Sequence, residues 1–164
     1  MDEPDVAETF LRLGGSLDYP ILIVTAADGD RREGCVVGFA TQCSFDPPRF
    51  LACISRANRT FALAEQVDAL AVHLVPRGAF GLVELFGGET GDDVDKFARC
   101  AWRPGPRGLP ILDACPAWFA GEVRARHDLG DHAGYLLAPV AAAFADGDWV
   151  SVHDARDIEP GHPA

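Results

Sequence analysis

Basic residues are scarce in this chain. Its 164 residues hold 14 Lys and Arg against 25 Asp and Glu, a net charge of −11. A general nucleic-acid binder needs a cationic face for phosphates, and docking on an anionic membrane needs a basic cluster. The composition supplies neither, although it leaves room for a small local cationic site. The first residues, MDEPDVAETF, carry no basic segment ahead of an apolar run, so no secretory signal is expected there. The uncharged stretch 132–145 falls short of the ~20 residues of a membrane helix. Cysteine pairs are missing too. Cys35, Cys43, Cys53, Cys100 and Cys115 are odd in number, scattered and without a CxxC. That spacing argues against a disulfide framework or a cysteine metal site and for reduced thiols, hence a soluble, cytoplasmic protein. GxxxxGK[ST], GxGxxG, HExxH and GxSxG are all absent. His127 and His132 lack the further ligands that a metal site would need, so none is expected.

What is present is a core. The chain is 48% hydrophobic and 24% charged, enough to bury a globular interior. No repeat or linker divides it. A single domain over 1–164 is expected, with a core of about 17–152 and a tail of 153–164. A short first helix is predicted with Asp2 as its cap, Pro4 at an early position, Phe10, Leu11 and Leu13 as an apolar edge, and Gly14-Gly15 as its stop. YPILIVTAADGD reads as a strand entering an Asp28-Gly29 turn, with a second strand over about 34–41. SFDPPRF, with two adjacent prolines, reads as a rigid extended loop. RFLACIS and ALAVHLV read as strands around a helix in NRTFALAEQV, with Asn58 as cap.

Ala79, Leu82, Val83 and Phe86 share one helical face, and Thr90 with Asp93 resembles a capping box opening DDVDKFARC. RPGPRGLP reads as a stiff loop. From Ala117 the residues alternate as a half-exposed strand, YLLAPVAAAFA reads as a more buried one, and DWVSV as a last short one. Six or seven strands that do not alternate with helices predict a mainly β, antiparallel barrel with short peripheral helices.

Two stretches could carry chemistry. In ISRANRT a strand ends and a helix opens, so unpaired N–H groups and the positive end of the helix dipole point outward. Ser55, Asn58 and Thr60 add neutral hydrogen-bonding groups, and Arg56 and Arg59 add two cations. One phosphate monoester suits this junction. A capped helix with two solvated arginines suits it equally. In GFATQCSFDPPRF the polar run Thr41, Gln42, Cys43 and Ser44 would present a row of amides and carbonyls that a flat heterocycle could read. An ordinary edge loop is the plainer alternative.

GCVVGFATQCSFDPPRFLACIS, followed by NRT, KFA and LGDH in that order, resembles the flavin reductase-like family of FMN-binding split barrels across Tyr19 to Val140. The resemblance implies a six-stranded antiparallel split barrel, a homodimer, and FMN near the dimer interface, with FAD as an alternative flavin. It implies hydride transfer from NADH or NADPH to flavin, and a monooxygenase as the partner that such a reductase would supply. By position, Thr41, Gln42, Cys43 and Ser44 would line the isoalloxazine, and Ser55, Asn58, Arg59 and Thr60 would hold the ribityl phosphate. Phe97 would lie close to the flavin or in the helix core. His132 would lie at the flavin face or the nicotinamide, or else fix a turn. This chain departs from the family at Val36, where many members have Thr in a Gly-Met-Thr segment, and at Gly38-Phe39, where a serine pair often follows. A hydroxyl beside the flavin is therefore missing. A flavin carrier or sensor without reductase activity, and a split barrel using a deazaflavin, are the alternatives to a reductase.

Overall fold

The structure is a computed structural model that describes residues 5–89 and 93–161. The predicted cap at Asp2, Pro4 and Thr90 lie outside the described residues. Nine strands are found among those residues: β1 (Leu22–Asp28), β2 (Arg31–Val37), β3 (Phe39–Phe45), β4 (Pro48–Ser55), β5 (Ala69–Leu74), β6 (Trp102–Pro104), β7 (Pro110–Leu112), β8 (Trp118–Asp128) and β9 (His132–Ala143). Helices α1 (Val6–Gly15), α2 (Arg59–Ala64) and α3 (Phe80–Gly88) accompany them. Seven strands form one antiparallel sheet in the order β2-β1-β5-β8-β9-β4-β3, and β6 pairs with β7 apart from it. The mainly β antiparallel class is as expected, with one more strand in the main sheet than a six-stranded barrel.

The sheet curls so that one face encloses a core. Leu22, Val24 and Ala26 of β1 meet Cys35 and Val37 of β2, Ile54 of β4, Leu70 of β5 and Tyr135 of β9. Leu63 and Ala64 of α2 close one end of it. The run LIVTA in β1 carries no alternation because it is buried on both sides. Its outer face, through Ile23, joins a second cluster with Val83 and Phe86 of α3, Phe97, Leu112 and Val150. The β1–β2 hairpin turns at Gly29, whose φ of 58° suits a residue without a Cβ. At Gly34 the same lack of a Cβ lets the Phe86 ring come close, since a Cβ there would lie 2.7 Å from it.

Three polar side chains pin this outer layer. Thr25 donates its hydroxyl to the Pro110 carbonyl at 2.7 Å. His73 lies 3.0 Å from the Ile23 carbonyl through Nδ1 and accepts the Leu112 N–H on Nε2 at 3.2 Å. The two contacts together select the tautomer protonated at Nδ1. Burial lowers its pKa from 6.5 to about 4. Lys96 is 5% exposed and donates to the Gly34 and Phe86 carbonyls at 3.2 and 3.0 Å. Burial lowers the pKa of its ammonium.

Several expected elements differ. The strand expected over about 34–41 is two strands, β2 and β3, parted at Gly38. SFDPPRF is not an extended loop. It is a tight β3–β4 hairpin that turns through Asp46 and Pro47, with a cis peptide bond between them, and Pro48 already opens β4. RPGPRGLP is the β6–β7 hairpin, which turns through Arg107 and Gly108 at positive φ while Pro104 and Pro110 pair across it. Of DDVDKFARC, the described residues 93–100 hold one 3-10 turn at Lys96–Ala98, capped by the Asp95 carboxylate on the Phe97 N–H. DWVSV forms two isolated bridges, Pro76 to Trp149 and Pro20 to Ser151. In α1 the cap is Asp5, and Phe10, Leu11 and Leu13 are exposed. The tail folds onto α3, with Ile158 beside Gly88 and the Gly161 N–H on the Gly87 carbonyl. Among the described residues no helix is long and apolar enough to cross a membrane.

Candidate functional site

β4 runs out at Ser55, and the chain turns into α2 within three residues. Asn58 makes that turn a helix start, because its side-chain oxygen accepts the Thr60 N–H at 3.0 Å. The Ser55 hydroxyl accepts the Ala57 N–H at 3.3 Å. Across the sheet, Ser55 stands opposite His132, the first residue of β9. The His132 Nδ1 lies 2.7 Å from the Asp131 carboxylate, and its ring packs against Phe39 at 5.0 Å between centroids. Three strand ends, of β3, β4 and β9, thus bring Phe39, Ser55 and His132 together beside the start of α2.

The two arginines of this junction are both engaged. Arg56 spans to the β8–β9 turn, donating to the Gly130 carbonyl at 2.9 Å and to the Asp128 carboxylate at 2.8 Å. The Gly130 N–H, donated to Asp128 at 3.2 Å, and then Arg56 hold the Asp128 carboxyl below the usual carboxylate range. Arg56 therefore fixes the loop that carries His132. Arg59 donates through Nε to Glu33 at 2.7 Å. Thr60 is 1% exposed, and its hydroxyl has no hydrogen-bond partner among the described residues. It lies beside the buried Cys35 thiol, whose pKa burial pushes up to about 11.

Two hollows flank this junction. A cavity of about 210 Å³ gathers Ser55 and Asn58 with Val36, Phe86, Glu89 and Ile158. Val36 makes its β2 wall apolar, where a hydroxyl was expected to be missing. A polar cleft of about 330 Å³ holds Arg59, Glu33, Asp95, Lys96 and Phe97. Phe97 is a core residue that also edges this cleft, set edge-on to Phe86 and Trp102 at 5.5 and 5.8 Å. Glu33 and Lys96 were not among the residues singled out from the sequence. A lysine next to a phenylalanine in a short polar segment gives no hint that its ammonium is buried.

Thr41, Gln42, Cys43 and Ser44 lie on β3, the last strand of the sheet. The register shifts between Gln42 and Ser44, so Cys43 is bulged out of the pairing. Thr41 donates its hydroxyl to the Gln42 carbonyl at 3.0 Å, and the Gln42 amide donates to the Ser44 carbonyl at 3.3 Å. This irregular edge leaves backbone donors and acceptors facing outward, the grouping that an amide-bearing heterocycle requires. The structure thus brings Ser55, Asn58 and His132 to one place, sets Arg59 and Phe97 in the adjoining cleft, and keeps Thr41–Ser44 along the neighbouring edge. The donor set fits a phosphorylated flavin: a hydroxyl, a carboxamide and a guanidinium for the phosphate, and a strand edge for the ring.

Residues 14–157 match the family model of the flavin reductase like domain. The chain is 34% identical over 126 residues to FMN reductase (NADH) RutF of Methylorubrum extorquens (strain DSM 6343 / CIP 106787 / DM4), covering 77% of this chain and 60% of that one. It is 32% identical over 116 residues to HsaB, the reductase subunit of a flavin-dependent monooxygenase in Rhodococcus jostii (strain RHA1), covering 68% and 56%. The chain therefore spans less than two thirds of either relative's length. Among solved structures, a flavin reductase domain protein from Arthrobacter sp. FB24 superposes with a TM-score of 0.81 at 20% identity, covering 90% of this chain and 91% of that one.

Proposed function

The chain belongs to the flavin reductase-like family, and from that premise we propose that it binds FMN, with FAD as the alternative flavin, and reduces it with NADH or NADPH. When bound, the flavin supplies a ring nitrogen able to accept a hydride. The observation that carries the reading is the convergence of Ser55, Asn58 and His132 at the start of α2, beside the open edge of β3. In this reading Ser55, Asn58 and Arg59 hold the phosphate; Thr60, expected beside them, is 1% exposed with its N–H on Asn58 and instead orders the first turn that presents them. The backbone of Thr41–Ser44 orients the ring. Phe97 walls the cleft below Arg59. His132, its ring set by Phe39 and Asp131, orients the nicotinamide against the flavin face. Hydride transfer needs close stacking rather than an acid or base, which suits a site with no strong proton-transfer constellation.

The whole chain acts as one domain in this reading, with its barrel over about 17–152 and its tail over 153–164. It works as a homodimer in the cytoplasm, where the exposed Cys43 stays reduced. The likeness to HsaB supports a monooxygenase as the user of reduced flavin. Purified protein with FMN is expected to oxidise NADH or NADPH faster than the same FMN free in buffer. A rate equal to free FMN with both nicotinamides would contradict reductase activity. One observation favours a second reading. Val36 leaves the wall beside Ser55 and Asn58 without a hydroxyl, which suits a flavin carrier that takes up FMN with no such acceleration.

A further inference from the structure

The tail returns to the hollow that holds Ser55 and Asn58, and its two halves are held very differently. The root, 151–155, is anchored several times over. The Ser151 N–H donates to the Asp154 carboxylate at 2.8 Å, and the same carboxylate meets the Arg77 guanidinium at 2.8 Å. The His153 N–H donates to Asp18 at 3.0 Å. Val152 and Ala155 pack on the second apolar cluster. The tip, 157–161, has far less. Ile158 is partly buried against that cluster, and the Gly161 N–H donates to the Gly87 carbonyl at 3.0 Å. Arg156, Asp157, Glu159 and Pro160 are exposed. A segment with so few buried contacts opens at a small fraction of the cost of global unfolding.

Ile158 and Pro160 of the tip line the same hollow of about 210 Å³ as Ser55 and Asn58. Sites that enclose a drug-sized ligand run to about 300–1,000 Å³. With the tip seated the hollow falls below that range. Its charge is also wrong for an anion. Among the described residues lining it, Glu89 is the one that carries charge, and the tip sets Asp157 and Glu159 on either side of Ile158. A phosphate dianion beside carboxylates is repelled. The seated tip therefore opposes a phosphate both in space and in charge. The match to the family model ends at residue 157, so Ile158, Pro160 and Gly161 lie beyond it.

We propose that the tip is an autoinhibitory strap. Seated on α3, it occupies the hollow of Ser55 and Asn58; hinged at Arg156, it lifts to admit the phosphate end of the flavin. The inference rests on the reading of Ser55 and Asn58 as phosphate-holding residues. One partly buried isoleucine and one backbone hydrogen bond favour the seated form by roughly ten to one. Apparent affinity falls in proportion to the fraction of copies that can bind, so the strap weakens flavin uptake by about tenfold.

The test compares the full chain with a chain ended after Arg156, each titrated with FMN and read by quenching of flavin fluorescence. The shortened chain is expected to bind FMN at least threefold more tightly. If circular dichroism shows that it has unfolded, Ile158→Ser in the full chain takes its place, with the same expectation. Hydrogen exchange in the full chain follows the strap directly. FMN is expected to speed exchange in the peptide 157–164, because the Gly161 N–H leaves the Gly87 carbonyl. A gain in affinity below threefold would overturn the proposal. So would exchange that stays constant on adding FMN, or that slows, which would mean that the tip closes over the flavin. Both results leave the flavin reading standing. FMN uptake by neither form would overturn that reading and the strap with it.

Discussion

The two faces of β1 and β5 differ from the free faces of β3 and of the second half of β9. The first pair is covered on both sides, by the barrel interior and by the layer of α3, β7 and the tail. The second pair is covered on one side only, and it leaves Phe39, Phe45, Val140 and Phe144 exposed. Polar pins mark the covered region: His73, Thr25 and Lys96 each tie one layer to the next. No comparable pin crosses the bare region among the described residues. The covered part therefore sets stability, and the bare part is free to meet ligands and partners.

The largest expected effect is in the covered layer. His73→Leu strips the Leu112 N–H of its acceptor and should cost about 2–4 kcal/mol, read as a lower urea midpoint. An unchanged midpoint would mean that the layers are not held there. The same histidine gives a pH dependence. The folded ring has a pKa of about 4 against an ordinary 6.5, so between those values the unfolded chain binds more protons. Its contribution is fully present above pH 6.5 and is lost as pH falls toward 4, amounting to about 3 kcal/mol. Urea midpoints across that range should fall in the wild type and fall less in His73→Leu.

A smaller effect is expected at the junction. Arg59→Ala should weaken FMN binding by about 1–3 kcal/mol, the scale of a charge-assisted hydrogen bond. Riboflavin, without a phosphate, should lose much less. Equal losses would remove Arg59 from the phosphate. The smallest effect is at the tip of β3. Phe45→Ser should change stability by less than about 0.5 kcal/mol, because the ring is already in solvent. A larger loss in thermal melts would show that this face is covered after all.

The sequence was readable where burial imposes a period. β4, β5, β8 and most of β9 fall where apolar runs and alternation put them, and Asn58 caps α2 as its position suggests. β3 escaped because it is an edge strand, exposed on most of its length, and so loses the alternation that marks a half-buried one. β6 and β7 were hidden by prolines that pair beside the hairpin's turn. At the site, the junction of Ser55 and Asn58 was legible from helix-capping chemistry alone. The engagement of Arg56 with Asp128, and of Arg59 with Glu33, was not, since both pairs join residues distant in the chain. The burial of Thr60 and Lys96 likewise depends on which strands close over them.

The most direct measurement compares FMN with riboflavin on the wild-type protein, by fluorescence titration at low salt. If Ser55, Asn58 and Arg59 grip the phosphate, FMN should bind at least tenfold more tightly, a difference of about 1.4 kcal/mol. Equal affinity for the two flavins would contradict the assignment of the start of α2 as the phosphate site.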